Sequence, residues 1–154
     1  MMMGRPPYNT KADRINQRQI ADQFESIWDG FALILRPDRF DPVDADILRE
    51  RDDRVVGVME IKDRKYPMWK LDRWRGYMIG LLKYNGIRHQ ARQLRVPGLI
   101  GIRTTDGLGG TIWWHRIDGL HDGIWWDGRR DRNDDRDMEW CVHLMSERFQ
   151  KLSP

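Results

Sequence analysis

Apolar residues recur at spacings of three and four across residues 12–31. Ile20, Phe24, Ile27, Trp28 and Phe31 fall on one side of a helix with that repeat, and Gly30 lies near its end. Pro37 and Pro42 bracket a loop, which a short strand over residues 31–35 would enter. The pattern then changes. Residues 45–51 and 55–62 read as the arms of a β-hairpin with Asp52-Asp53 at the turn. The second arm, Val55-Val56-Gly57-Val58-Met59-Glu60-Ile61-Lys62, is β-rich and mostly apolar, as befits a strand covered on both faces. Residues 63–76 form a charged, tryptophan-bearing connection, and residues 77–79 a short strand.

Helical spacing returns over residues 81–95, where Tyr84, Ile87, Ala91 and Leu94 line one side and Pro97 closes the segment. Residues 99–103 and 111–117 are strand candidates around a glycine-rich turn. Residues 127–137 form a polar loop, and residues 139–145 a last strand followed by a short terminal helix. The sum is an α/β (α+β) domain around a mixed sheet. Residues 1–10 are expected to form a flexible arm. Residues 11–154 should form a single domain, with a C-terminal extension from about residue 119.

Composition narrows the function classes. The 154 residues are 40% hydrophobic and 33% charged, with a net charge of +3, which permits a nucleic-acid partner without demanding one. Cys141 is the only cysteine, so an intrachain disulfide and a cysteine zinc cluster are excluded. The four histidines include no pair at the spacing of a helical zinc site. No apolar run approaches the ~20 residues of a membrane span. The first residues lack the apolar core of a secretory signal. These features point to a reducing, cytoplasmic setting without a membrane partner.

The hairpin carries the candidate chemistry. Strand alternation sends Glu60 and Lys62 to one face and Ile61 to the other. Asp46 joins them if opposed residue numbers across the hairpin sum to an even value, as with a three- or five-residue turn centred on Asp53. A two-residue turn would send Asp46 away unless a bulge intervened. Two neighbouring carboxylates repel when ionised, and a divalent cation relieves the repulsion. Mg²⁺ commonly uses one or two carboxylates plus substrate phosphate, and the backbone carbonyl of Ile61 would offer a further oxygen. With a lysine to orient water or stabilise developing charge, these parts suit phosphodiester hydrolysis. A lone Glu-x-Lys is common in surface ion pairs. Here an apolar run leads into Glu60, an aspartate sits on the preceding strand, and a basic aromatic segment follows.

The stretch Asp46-Ile47-Leu48, followed by Val55 through Lys62-Asp63-Arg64, resembles the PD-(D/E)XK nuclease superfamily. Lys83-Tyr84 with Ala91-Arg92-Gln93-Leu94-Arg95-Val96-Pro97 is similar to the helix after the catalytic hairpin, and residues 99–117 to the closing strands. The resemblance covers roughly residues 15–118 and is nearest to small phage-type members. It implies a restriction-endonuclease-like αβββαβ core with a mixed central sheet flanked by helices. It also implies Mg²⁺ or Mn²⁺ as cofactor and DNA as substrate, in a bacterial cytoplasm or a phage-infected host. By the same resemblance Asp46 and Glu60 bind metal, Lys62 is the catalytic lysine, and Glu25 on the first helix points towards the metal. The superfamily's proline-aspartate pair is absent, since Ala45 precedes Asp46. Pro42-Val43-Asp44 lies nearby and makes Asp44 the rival first carboxylate. The alternatives are an inactive, nuclease-like DNA-binding or phage assembly subunit, and an unrelated small structural phage protein.

Outside the hairpin, Lys83 at a helix start would reach the site or a phosphate. Lys65, Lys70, Arg73 and Arg75 interleave with Tyr66, Trp69 and Trp74. This pattern suits phosphate contacts and base stacking, with one of the two tryptophans expected at the surface. Arg88, Arg92 and Arg95 form a basic stripe on the second helix. At least one ring of each pair Trp113-Trp114 and Trp125-Trp126 is expected in the core, and the other would mark a homo-oligomer interface. The charged run 129–137 reads as a solvated loop, and Cys141 as inert core.

Overall fold

The computed structural model describes residues 11–38, 40–128 and 138–154. Helix α1 (Lys11–Ile27) leads into three strands, β1 (Phe31–Leu35), β2 (Ala45–Arg49) and β3 (Arg54–Asp63). A short 3-10 helix (Met68–Arg73) and β4 (Tyr77–Gly80) precede α2 (Leu81–Leu94). Strands β5 (Gly98–Thr104), β6 (Thr111–Arg116), β7 (Gly123–Gly128), β8 (Met138–Leu144) and β9 (Gln150–Lys151) complete the chain. The main sheet runs β1-β2-β3-β5-β6-β9, with β3 and β5 parallel and the other pairs antiparallel. A second sheet runs β4-β8-β7. The expected αβββαβ core is therefore present, with β4 inserted before α2 and assigned to the second sheet.

Each face of the main sheet has its own apolar layer. Ile20, Ala21 and Phe24 of α1 pack on Leu33, Ile47, Met59 and Ile61. Tyr84, Ile87 and Ala91 of α2 pack on Val58, Ile100 and Ile102, and Ile79, Val142 and Leu144 of the second sheet close that layer. Alternation along β3 thus feeds Met59 and Ile61 to α1, and Val58 and Glu60 to α2. The α1 layer is tight: a Cβ at Gly101 would lie 2.8 Å from the Phe24 ring.

Several boundaries depart from expectation. The first helix ends at Ile27, because the chain reverses through Gly30 at φ 83° to start β1. The hairpin loop holds four residues between Arg49 and Arg54, and a register shift between Ile47 and Leu48 restores even pairing towards β2's start. Instead of a terminal helix, a 3-10 turn (Ser146–Arg148) leads into β9. Leu94, expected on the packed side of α2, is exposed instead, at 41%. Trp113 and Trp114 each pack against one core layer. Trp125 and Trp126 both remain exposed, contrary to the expected core ring, because β7 lies at the edge of its sheet, although Trp125 still meets the buried His143 edge-on at 4.7 Å. Cys141 is buried as expected. The expected N-terminal arm and the loop 129–137 lie outside the described residues. Among the described residues no helix is long and apolar enough to cross a membrane.

Candidate active site

Glu60 sits on β3 between β2 and β5 and is only 1% exposed. An ionised carboxylate at that depth needs partners. Lys62, two residues along the same face, brings Nζ to 3.1 Å from Oε1. Lys83, in the first turn of α2, brings Nζ to 3.0 Å from Oε2. These are ion-pair distances, yet neither oxygen accepts a well-directed hydrogen bond.

The second carboxylate is Asp44, immediately before β2. Its N–H donates to the Met59 carbonyl at 3.0 Å, and its Oδ2 accepts the Ile61 N–H at 2.8 Å. The pairs Ala45↔Met59 and Asp46↔Val58, continued by one residue, set Asp44 opposite Glu60. Burial pushes the Asp44 carboxyl up to about 6, and the charge of Glu60 adds to the rise, against the opposing pull of Lys62, the Ile61 N–H and Lys83. Burial alone would depress the Lys62 ammonium. Glu60, Tyr77 and Asp44 outweigh it and hold the group above the ordinary lysine value.

Asp46 has the anticipated parity but not the anticipated neighbours. It faces Val58 rather than Glu60, and Arg36 grips its carboxylate through Nη2 at 2.7 Å and Nε at 3.2 Å. Glu25 also stands apart. It rides on α1, which packs on the opposite face of the sheet, and its Oε1 accepts the Leu33 N–H at 2.8 Å and Arg18 Nη2 at 2.9 Å. The structure therefore brings together Asp44, Glu60, Lys62 and Lys83, and leaves Asp46 and Glu25 in structural pairs. Ile61 enters through its N–H on Asp44.

The basic segment after β3 differs from expectation in one respect. Trp69 and Trp74 are both about half exposed, 50% and 48%. The 3-10 helix buries Met68 and Leu71 instead. The Arg73 guanidinium lies 4.8 Å over the Trp69 ring, and Tyr66 meets Trp74 edge-on. Lys65 pairs with Asp63 at 3.2 Å. Arg75 reaches over Trp125, at 5.4 Å from its centroid. Arg88 and Arg92 occupy the C-terminal half of α2, away from Lys83.

Arg64 was not anticipated as a site residue, although the alternation that pairs Glu60 with Lys62 reaches it next. Its backbone N–H bonds the Arg103 carbonyl at 2.8 Å, prolonging the β3–β5 ladder. Its Nη2 donates to the Tyr77 hydroxyl at 2.9 Å. Among the described residues it has no carboxylate partner, unlike Arg36 and Arg103. A guanidinium so placed extends the positive charge of Lys62 along the same face.

The donor set fits a hard divalent cation. Glu60 offers two buried oxygens without directed hydrogen bonds, and Asp44 faces it with an ionisation that burial and Glu60 both oppose. Two carboxylates are the protein complement that Mg²⁺ commonly takes. Among the described residues no group of three or more His, Cys, Asp or Glu side chains forms a closed metal cage, so any cation would complete its shell with water or substrate.

Residues 3–152 match the family described as "Phage putative PDDEXK endonuclease". Among solved structures, the chain is similar to Hjc from Archaeoglobus fulgidus, a Holliday junction resolvase from an archaeal hyperthermophile. The TM-score is 0.51 at 14% identity, over 74% of this chain and 79% of that one. That likeness concerns the fold. No curated protein matches the chain.

Proposed function

Because this chain belongs to the phage PDDEXK endonuclease family, we propose that it hydrolyses DNA phosphodiester bonds at the Asp44–Glu60–Lys62 cluster. The observation that carries this reading is the opposition of two carboxylates across β2 and β3, with two lysines closing on the buried one. Asp44 and Glu60 would hold a divalent cation, Mg²⁺ or Mn²⁺. When bound, it supplies a water of lowered pKa and neutralises charge on the phosphate. In this reading Asp44 takes the place first expected of Asp46.

Lys62 is the catalytic lysine. Its ammonium, kept charged by Glu60 and Asp44, orients the attacking water or donates to a phosphate oxygen. Lys83 shares Glu60 and places a second positive charge at the start of α2. Lys65, Lys70, Arg73 and Arg75 track the DNA backbone beside the site. The exposed Trp69 and Trp74 rings offer stacking surfaces for unpaired bases. Cutting both strands of a duplex would take two such sites, hence a homo-oligomer.

The test is cleavage of labelled duplex and branched DNA in Mg²⁺, Mn²⁺ or EDTA by wild type, Lys62→Ala and Asp44→Asn. Cleavage that needs the cation and falls about 10²-fold or more in both variants is expected. Variants that cut as fast as wild type would remove the cluster from the mechanism. Salt-dependent DNA binding with no cleavage in either cation would favour an inactive DNA-binding subunit.

A further inference from the structure

The arginines of α2 form a site of their own. Arg88, Arg92 and Arg95 meet Arg116, at the end of β6, around a cavity of about 420 Å³. Its floor includes Gly98, which pairs with Val58, whereas Lys62 pairs with Ile102. The cavity thus lies at the opposite end of the β3–β5 ladder from Lys62, roughly 13 Å away along the strand. From Lys83 to Arg95 along α2 the separation is about 18 Å.

Four arginines line it, and among the described residues none has a carboxylate partner within ion-pair distance. Elsewhere the chain pairs Arg36, Arg103 and Arg148 with aspartates. Asp118 also lines the cavity, with its Oδ1 accepting the Leu120 N–H at 3.0 Å, so four arginines face a single carboxylate there. Arg88 lies close against the turn at Gly119: a Cβ there, φ +91°, would sit 2.9 Å from its Nη2, and the Gly119 N–H bonds the Tyr84 hydroxyl at 3.1 Å. Arg95 adopts a left-handed conformation at φ 56°, where glycine is the favoured residue. Arginine there costs backbone energy and places a charge at the cavity's lip.

We propose that this cavity is a second phosphate-binding site, which takes the DNA backbone away from the bond being cut. It rests on the reading of DNA as substrate. Arg88 to Arg95 spans seven residues, about 10 Å of helix, more than one phosphate group occupies. A run of consecutive backbone phosphates fits that length.

The experiment measures binding of a labelled duplex by full-length Lys62→Ala, alone and with Arg92→Gln/Arg116→Gln, between about 50 and 200 mM salt. The expected result is a Kd weakened about tenfold or more and a log–log salt slope shallower by about two. Arg95→Gly is the second variant. It relieves the backbone, so its Tm should not fall while its DNA affinity does. An unchanged Kd and slope in the double variant would overturn the proposal. So would inorganic triphosphate raising the Tm of Lys62→Ala, but not that of the arginine variant, while both bind DNA equally. In that case the cavity holds a free polyphosphate. If wild type cuts no DNA in either cation but binding still depends on these arginines, the cleavage reading fails and this site stands.

Discussion

Asp44→Asn should make the cation-free protein more stable while abolishing its activity. The Asp44 carboxyl is lifted from 3.8 to about 6, by burial first and then by Glu60. A folded-state value above the unfolded one means that the folded chain holds the proton more tightly. At about pH 3 and below both states are protonated and Asp44 carries no penalty. Between about pH 4 and 6 the unfolded chain ionises first, and stability drains away as pH rises. Above pH 6 the full cost of the buried charge is present, up to about 3 kcal/mol. Partial contact with solvent reduces that to about 1–2 kcal/mol.

Asparagine keeps an oxygen for the Ile61 N–H and removes the charge. In EDTA at pH 7.5, urea or thermal unfolding should therefore show Asp44→Asn more stable by about 1–2 kcal/mol, or roughly 2–8 °C in Tm for a chain of this size. At about pH 3 the two proteins should converge. Mn²⁺ should reverse the order. A cation at about a hundredfold over its Kd adds ~2.7 kcal/mol to whatever binds it, and the wild type should collect that gain while the variant does not. A variant less stable than wild type at pH 7.5 in EDTA would refute the argument. So would one stabilised by Mn²⁺ as strongly as wild type, since the carboxylate would then be neither repelled by Glu60 nor needed by the ion.

Other substitutions separate structural from chemical roles. Asp46→Asn strips Arg36 of its two-pronged partner and should cost about 1–3 kcal/mol in urea unfolding, with cleavage kept within a few-fold. Glu25→Ala should likewise lower stability by about 1–2 kcal/mol, through the orphaned Leu33 N–H and Arg18, and its single-turnover cleavage should match wild type. Mn²⁺ affinity, followed by titration calorimetry, should weaken as pH falls below about 6, because protons compete for Asp44. A flat profile between pH 5 and 7 would count against Asp44 as a ligand.

The sequence was legible wherever a local period decides the outcome. Two-residue alternation places Glu60 and Lys62 on one face, and helical spacing finds α1 and α2. It also reaches Arg64, had the pattern been followed one step further. What alternation cannot give is which residue of β2 stands opposite Glu60, because that depends on the loop and on every irregularity between the turn and the site. Arg49↔Arg54 sets an odd pairing at the turn, the shift at Ile47/Leu48 makes it even, and the pairing then runs past β2's first residue to Asp44. One bulge thus admits both aspartates to the face that carries Glu60, and parity cannot choose between them. Tertiary partners do. Arg36, leaving β1 beside β2, takes Asp46, and the buried Glu60 with its lysines is left facing Asp44. Glu25 eluded the reading for a similar reason. A helix face reveals which side is apolar, and the crossing of α1 over the sheet, tightened by Phe24 on Gly101, decides that its border faces β1. Register and crossing are settled by contacts between distant segments, and that is where a site read from one strand acquires its remaining members.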